Sequence, residues 1–171
     1  PGINFTFFQT NHRAYVMDKE NGQHCVWFFG TNLGSRIVEI PRTLWKIPWH
    51  YTTYSVEVRF NEGKNIYEKF NYRFRSEWCD GEIEIEDTGI PISECKGFSC
   101  LDEMKLILTH PTTGYFYRLD KKLGTYKIWH PEMNMTSAKP HHLYFSLYEN
   151  LGIMSRHEME SPHSIFVCPE V

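Results

Sequence analysis

The sequence has no long hydrophobic run. Its apolar stretches, such as Val26–Phe29, fall far short of the roughly 20 residues that a membrane-crossing helix needs, so no membrane span is expected. It has no basic excess either: 18 Lys and Arg stand against 21 Asp and Glu, a net charge of −3. A general nucleic-acid binder needs a basic footprint, so no nucleic-acid partner is expected. Pro1-Gly2-Ile3-Asn4 shows neither the basic start nor the apolar stretch of a signal peptide. There is no Gly-x-Ser-x-Gly nucleophile motif, and no cysteine has a local catalytic signature. Gly30-Thr31-Asn32-Leu33-Gly34 lacks the spacing and the lysine of a phosphate-cradling loop. The tight Cys and His pairs of a zinc site are missing, and no metal or other cofactor is implied. No repeat, linker or low-complexity tract interrupts the chain. Strands do not alternate with helical periods, which argues against a doubly wound parallel fold.

What the sequence does have is aromatic residues: 12 Phe, 10 Tyr and 5 Trp in 171 residues. Flat and β-branched side chains fit a pleated surface, so this composition favours strands. With 41% hydrophobic residues the chain can bury a real core. Its length suits a single domain over residues 1–171. The five cysteines, Cys25, Cys79, Cys95, Cys100 and Cys168, are an odd number, so at least one thiol has no partner within the chain. Cys95 and Cys100 are spaced to close a small loop, and separate thiols are the competing reading. Asn4-Phe5-Thr6 and Asn134-Met135-Thr136 match the glycosylation sequon.

Alternation and turn residues place the strands. Ala14–Met17 and Cys25–Phe29 flank Asn21-Gly22, the strongest short hairpin signal. Gly30 to Gly34 reads as a turn. Arg36–Ile40 reads as a weak strand stopped at Pro41, and Leu44–Trp49 as an edge or loop because of Pro48. Tyr54, Val56, Val58 and Phe60 fall on one face of a strand, and Ile66–Phe74 alternates again after an Asn61-Glu62-Gly63-Lys64 turn. In Glu82–Asp87 the three glutamates share one face, which belongs in water. A helical turn is expected near Asp102-Glu103. Tyr115–Leu119 and Thr125–Trp129 form a third hairpin. Residues 131–140 break the pattern, Leu143–Tyr148 reads as a strand, and Ser164–Cys168 closes the chain. The sum is an all-β, two-sheet antiparallel β-sandwich of galectin-like or jelly-roll type, with at most one or two short helices.

Three constellations bear on chemistry. His50-Tyr51-Thr52-Thr53 and His110-Pro111-Thr112-Thr113 each have the His-x-Thr form of the two-histidine phosphodiesterases. In that family paired histidines act as general acid and base on one phosphate, because imidazole titrates near neutrality. That is the enzymatic alternative; the main expectation is that the chain is not an enzyme. His130, His141, His142, His157 and His163 crowd the last third. Adjacent histidines on a regular strand point to opposite faces, so His141 and His142 are not expected to share a metal.

The third constellation is tryptophan beside polar groups near turns. Trp129, His130, Glu132 and Arg118 form one candidate contact set; Trp78 and Arg75 form a second. A ring face for stacking on sugar C–H groups, beside hydrogen-bonding side chains, suits glycan recognition. The same mixture serves a protein receptor. An apolar-ligand carrier of lipocalin type is the remaining alternative, with the aromatics lining a cavity.

The layout resembles the head domain of rotavirus spike proteins, a galectin-like two-sheet lectin. The residues that carry the resemblance are Ala14–Met17 leading through Asn21-Gly22 to Trp27, then Thr43-Leu44-Trp45-Lys46, Gly114–Tyr117 and a late strand ending at Cys168. The resemblance implies attachment to a cell-surface glycan by a non-enzymatic module, at an extracellular or virion surface. It transfers no ligand-binding residue to this chain.

Overall fold

The hairpin signals translate directly into strands. Asp18 closes the first turn: its carboxylate accepts the Glu20 N–H at 2.9 Å and its carbonyl accepts the Gly22 N–H at 2.8 Å, with Gly22 at φ 70. The computed structural model describes residues 6–93, 96–129 and 133–168. It is mainly β, with two five-stranded sheets. The chain divides into two compact units, one built from residues up to Thr53 and from Asp102 to the end of the third hairpin, the other from the remainder.

In the first unit, β1 (Gln9–Met17) and β2 (His24–Leu33) pair antiparallel. A 3-10 turn over Arg36–Val38 leads into α1 (Glu39–Trp45), followed by β3 (Trp49–Tyr51). After α2 (Leu101–Thr109), β7 (Thr113–Tyr117) and β8 (Leu123–Lys127) make the expected third hairpin. Both β3 and β7 run parallel to β2. β7 pairs with Val26 to Phe28 and β3 with Thr31 to Leu33. Val26, Phe28 and Phe116 are buried together, and Ile47, Tyr126 and Ile128 pack against them.

In the second unit, β4 (Thr53–Asn61), β5 (Ile66–Arg75), β6 (Asp80–Pro91), β9 (Thr136–Phe145) and β10 (Phe166–Val167) lie in the order β10-β9-β6-β5-β4. α3 (Ser146–Asn150) and α4 (Arg156–Glu160) follow β9. Tyr72, Phe74, Ile85 and Leu143 are buried on one side of this sheet. Glu82, Glu84 and Glu86 lie on the other, as expected, and Arg73 and His142 reach Glu82 at 3.7 and 3.6 Å.

Several expectations fail for identifiable reasons. Gly30 to Leu33 is strand, because β1 and β3 both offer it partners, so pairing overrides the turn composition. Arg36–Ile40 is helical: Ser35 caps the 3-10 turn, and Pro41 is third in α1, where a missing N–H costs nothing. Residues 131–140 do not simply break the sheet, since β9 starts at Thr136 and carries Pro140 at a bulge. Leu143–Tyr148 is strand to Phe145 and helix from Ser146. The described residues hold four short α-helices rather than one or two.

The bulge also overturns the reading of His141 and His142. β6 and β9 slip register between Glu84 and Ile85, so that Glu84 faces His142 while Ile85 faces Pro140. His141 is the extra residue, and extra residues break strict alternation. Both imidazoles therefore lie on the carboxylate side, His141 at 3.3 Å from Glu86 and His142 at 3.6 Å from Glu82.

Candidate functional site

In the first unit, polar side chains line up across three strands. The pairing of β1 with β2, which slips register just after His12, and of β2 with β3 brings His12, Asn32 and Thr52, the residue after β3, together, and all three are buried. Asn32 Oδ1 can only accept, so His12 Nε2 carries the proton and donates to it at 3.1 Å. Asn32 Nδ2 donates to Thr52 Oγ1 at 2.8 Å, and the Thr52 hydroxyl donates to the His50 carbonyl at 2.9 Å. The chain of donors thus runs one way and ends on backbone. Arg42, from α1, donates to the Trp49 carbonyl at 2.8 Å and approaches His50 Nδ1 at 3.3 Å.

Electrostatics keep both histidines neutral at neutral pH. Burial pushes His12 down to about 4, with the Asn32 hydrogen bond opposing it. His50 is also pushed down to about 4, first by burial, then by the Arg42 guanidinium and by His12. The network has no activated nucleophile, because the Thr52 proton is committed to a carbonyl. What it does is fasten three strands beside a cleft.

That cleft has a volume of about 220 Å³ and is lined by Phe7, Leu33, Ser35, Ile37, Val38, Pro41 and Trp49. The polar network and the cleft share their framework. Leu33 follows Asn32, Trp49 precedes His50, and the Thr52 N–H donates to the Leu33 carbonyl at 2.9 Å. Ser35 is the one polar lining residue, and its hydroxyl already accepts the Ile37 N–H in the cap.

The residues expected from sequence are placed differently. Trp129, just past β8, is 82% exposed. Arg118 follows β7 and holds Asp120 at 3.0 Å. The β7–β8 hairpin puts these two at opposite ends, Arg118 at the turn and Trp129 at the open end, on the order of 20 Å apart at about 3.4 Å per residue. His130 and Glu132 lie outside the described residues. Trp78 and Arg75 do come to one turn, between β5 and β6, where the Ser76 hydroxyl accepts the Trp78 and Cys79 backbone N–H groups. Trp78 is half-buried and Arg75 exposed.

The two His-x-Thr motifs are also apart. His50 sits opposite Asn32, whereas Gly114, four residues past His110, sits opposite Val26. Six positions along β2 correspond to about 20 Å at roughly 3.3 Å per residue. His110 instead bonds Thr109 at 2.7 Å at the end of α2. Among the described residues no group of three or more His, Cys, Asp or Glu side chains forms a metal-binding cluster.

His12, Asn32, Arg42 and the cleft were missed by reasoning from sequence. One signal was present: Thr31-Asn32 are polar residues at the end of an otherwise apolar stretch, which in a strand means satisfied burial rather than a turn.

No curated protein matches this chain, and no solved structure does. A family model matches it over residues 1–171, and the chain accordingly belongs to the DUF2071 family, described as an uncharacterized conserved protein.

Proposed function

We propose that the protein is a non-enzymatic binding module that holds a small, mainly apolar molecule in the cleft beside β3. The observation that carries this reading is the cleft's lining, six apolar residues and a single hydroxyl around about 220 Å³. Ligand sites are concave and mostly apolar, and drug-sized ones start at roughly 300 Å³, so this one suits a smaller molecule. The His12–Asn32–Thr52 chain supports the reading by fixing β2 and β3, the strands that present Leu33 and Trp49. Titration with 1-hexanol and toluene, followed by NMR shifts of the Val38 and Leu33 methyls, tests it. Saturable shifts are expected, and Val38→Phe, which fills the space, abolishes them in a folded protein. Absence of saturable shifts in the parent protein overturns the reading.

A second reading rests on Trp129, whose ring stands clear of the fold. An exposed indole offers the flat face that sugar stacking or a protein hot spot requires. The glycan expectation from the sequence names this residue. Multivalent display on a glycan array tests it: related hits lost in Trp129→Ala support a lectin, and a blank array with folded protein ends it.

A further inference from the structure

One end of the first unit exposes apolar and basic side chains together. Leu44 and Trp45, at the end of α1, are 65% and 60% exposed; Tyr117 and Leu123, paired across β7 and β8, are 63% and 61% exposed. These elements are physically joined, since the Leu119 N–H donates to the Lys46 carbonyl at 2.8 Å. Trp27 backs the Tyr117 ring edge-on, with centroids 4.9 Å apart. Lys46, Lys121 and Lys122 stand among these side chains, all exposed and none in an ion pair among the described residues. The one carboxylate of the turn, Asp120, is held by Arg118. The unit as a whole carries ten Lys and Arg against six Asp and Glu, so it is +4 in a chain of net −3.

We propose that this tip, formed by Leu44, Trp45, Lys46 and the Tyr117–Leu123 turn, docks onto the surface of a bilayer containing anionic lipid. Trp and Tyr favour the headgroup level, and lysine stems lie along apolar surface while their ammonium groups meet phosphate. Charge complementarity selects the occupant. A protein interface is depleted in Lys and rich in Arg, whereas here three unpaired lysines ring the apolar residues. Docking by the tip is independent of what the cleft holds.

Vesicle co-sedimentation tests the proposal, comparing phosphatidylcholine alone with a phosphatidylcholine–phosphatidylserine mixture at low and high salt. The parent protein is expected to bind the mixed vesicles at low salt and to be released by high salt. Each lysine near the surface contributes about fivefold, so Lys46→Gln, Lys121→Gln and Lys122→Gln together lower partitioning on the order of a hundredfold. Leu44→Ser with Leu123→Ser, both at exposed positions, lowers it independently while circular dichroism stays unchanged. Failure of the folded parent protein to bind mixed vesicles overturns the proposal, as does binding that ignores both sets of substitutions. Self-association removed by the same substitutions, without vesicle binding, also overturns it and makes a second copy the occupant.

Discussion

His12 Nε2 donates to Asn32 Oδ1 at 3.1 Å across the first hairpin, and neither side chain is open to solvent. Residues twenty positions apart thereby become the hub of the first sheet. A buried polar pair of this kind is stable only while its protonation suits its surroundings, and burial, working against the Asn32 hydrogen bond, keeps the His12 imidazole neutral.

The pH dependence of stability follows from that neutrality. The His12 pKa is about 4 in the folded state, below the ordinary value of 6.5. Between these values the unfolded chain binds the extra proton and the folded chain does not. The neutral form's contribution is therefore complete above pH 6.5 and is lost as the pH falls from there to about 4. For His12 the loss is on the order of 3 kcal/mol, and His50, shifted the same way, adds to it. Urea unfolding across this range should show the decline. His12→Gln keeps a donor for Asn32 without a titrating ring, so its curve should be flatter.

Thr52 tests the network from the other end. Thr52→Val keeps the shape but removes both the acceptor for Asn32 Nδ2 and the donor to the His50 carbonyl. Burying an amide donor without this acceptor costs about 1–3 kcal/mol. Thr52→Ser retains the hydroxyl and should lose less. Denaturation midpoints of the two variants decide between a working hydrogen bond and mere packing of the methyl group.

The parts of this fold legible from sequence are those fixed locally. Asn21-Gly22, the alternation in β4 and β5, and the Asp120–Gly124 turn signal each announce a hairpin within a dozen residues, although the observed turn of the third hairpin, 118–122, comes two residues earlier. What sequence misplaced depends on distant partners. Gly30 to Leu33 looks like a turn until β3 supplies a parallel neighbour, and His141 and His142 look opposed until β6 imposes a bulge. Trp129 and Arg118 were parted for the same reason. The two are close in chain order, but a regular hairpin carries them to opposite ends, whereas Leu33, Val38 and Trp49 reach one cleft only through the 3-10 turn and α1.

Gly81 is predicted to be intolerant of any side chain. It pairs with Phe74 on β5 and Phe145 on β9. A Cβ here would stand 2.6 Å from the Phe74 ring and 2.9 Å from the Tyr144 carbonyl oxygen. The backbone oxygen cannot swing away as a side chain can, and Phe74 is itself buried. Overpacking of this kind costs about 1–3 kcal/mol. Gly81→Ala should lower the thermal midpoint, while Gly63→Ala, whose Cβ meets only Asn61 at 3.5 Å, serves as the control.

Lys46 offers the opposite outcome. It ends α1 at φ 58, ψ 30, in the left-handed region where a Cβ is strained and glycine is the usual occupant. Its carbonyl accepts the Leu119 N–H, so the conformation is fixed by the tertiary structure rather than chosen by the residue. Lys46→Gly relieves the strain but gives the unfolded chain more freedom, and these terms partly offset. The net gain should be about 0.5–1 kcal/mol, read as a higher urea midpoint with an unchanged slope. If the exposed Lys46 side chain is kept for docking at anionic lipid, the same variant should bind mixed vesicles about fivefold more weakly while unfolding later. A variant that is both more stable and less adherent would show that this strained position is retained for its charge.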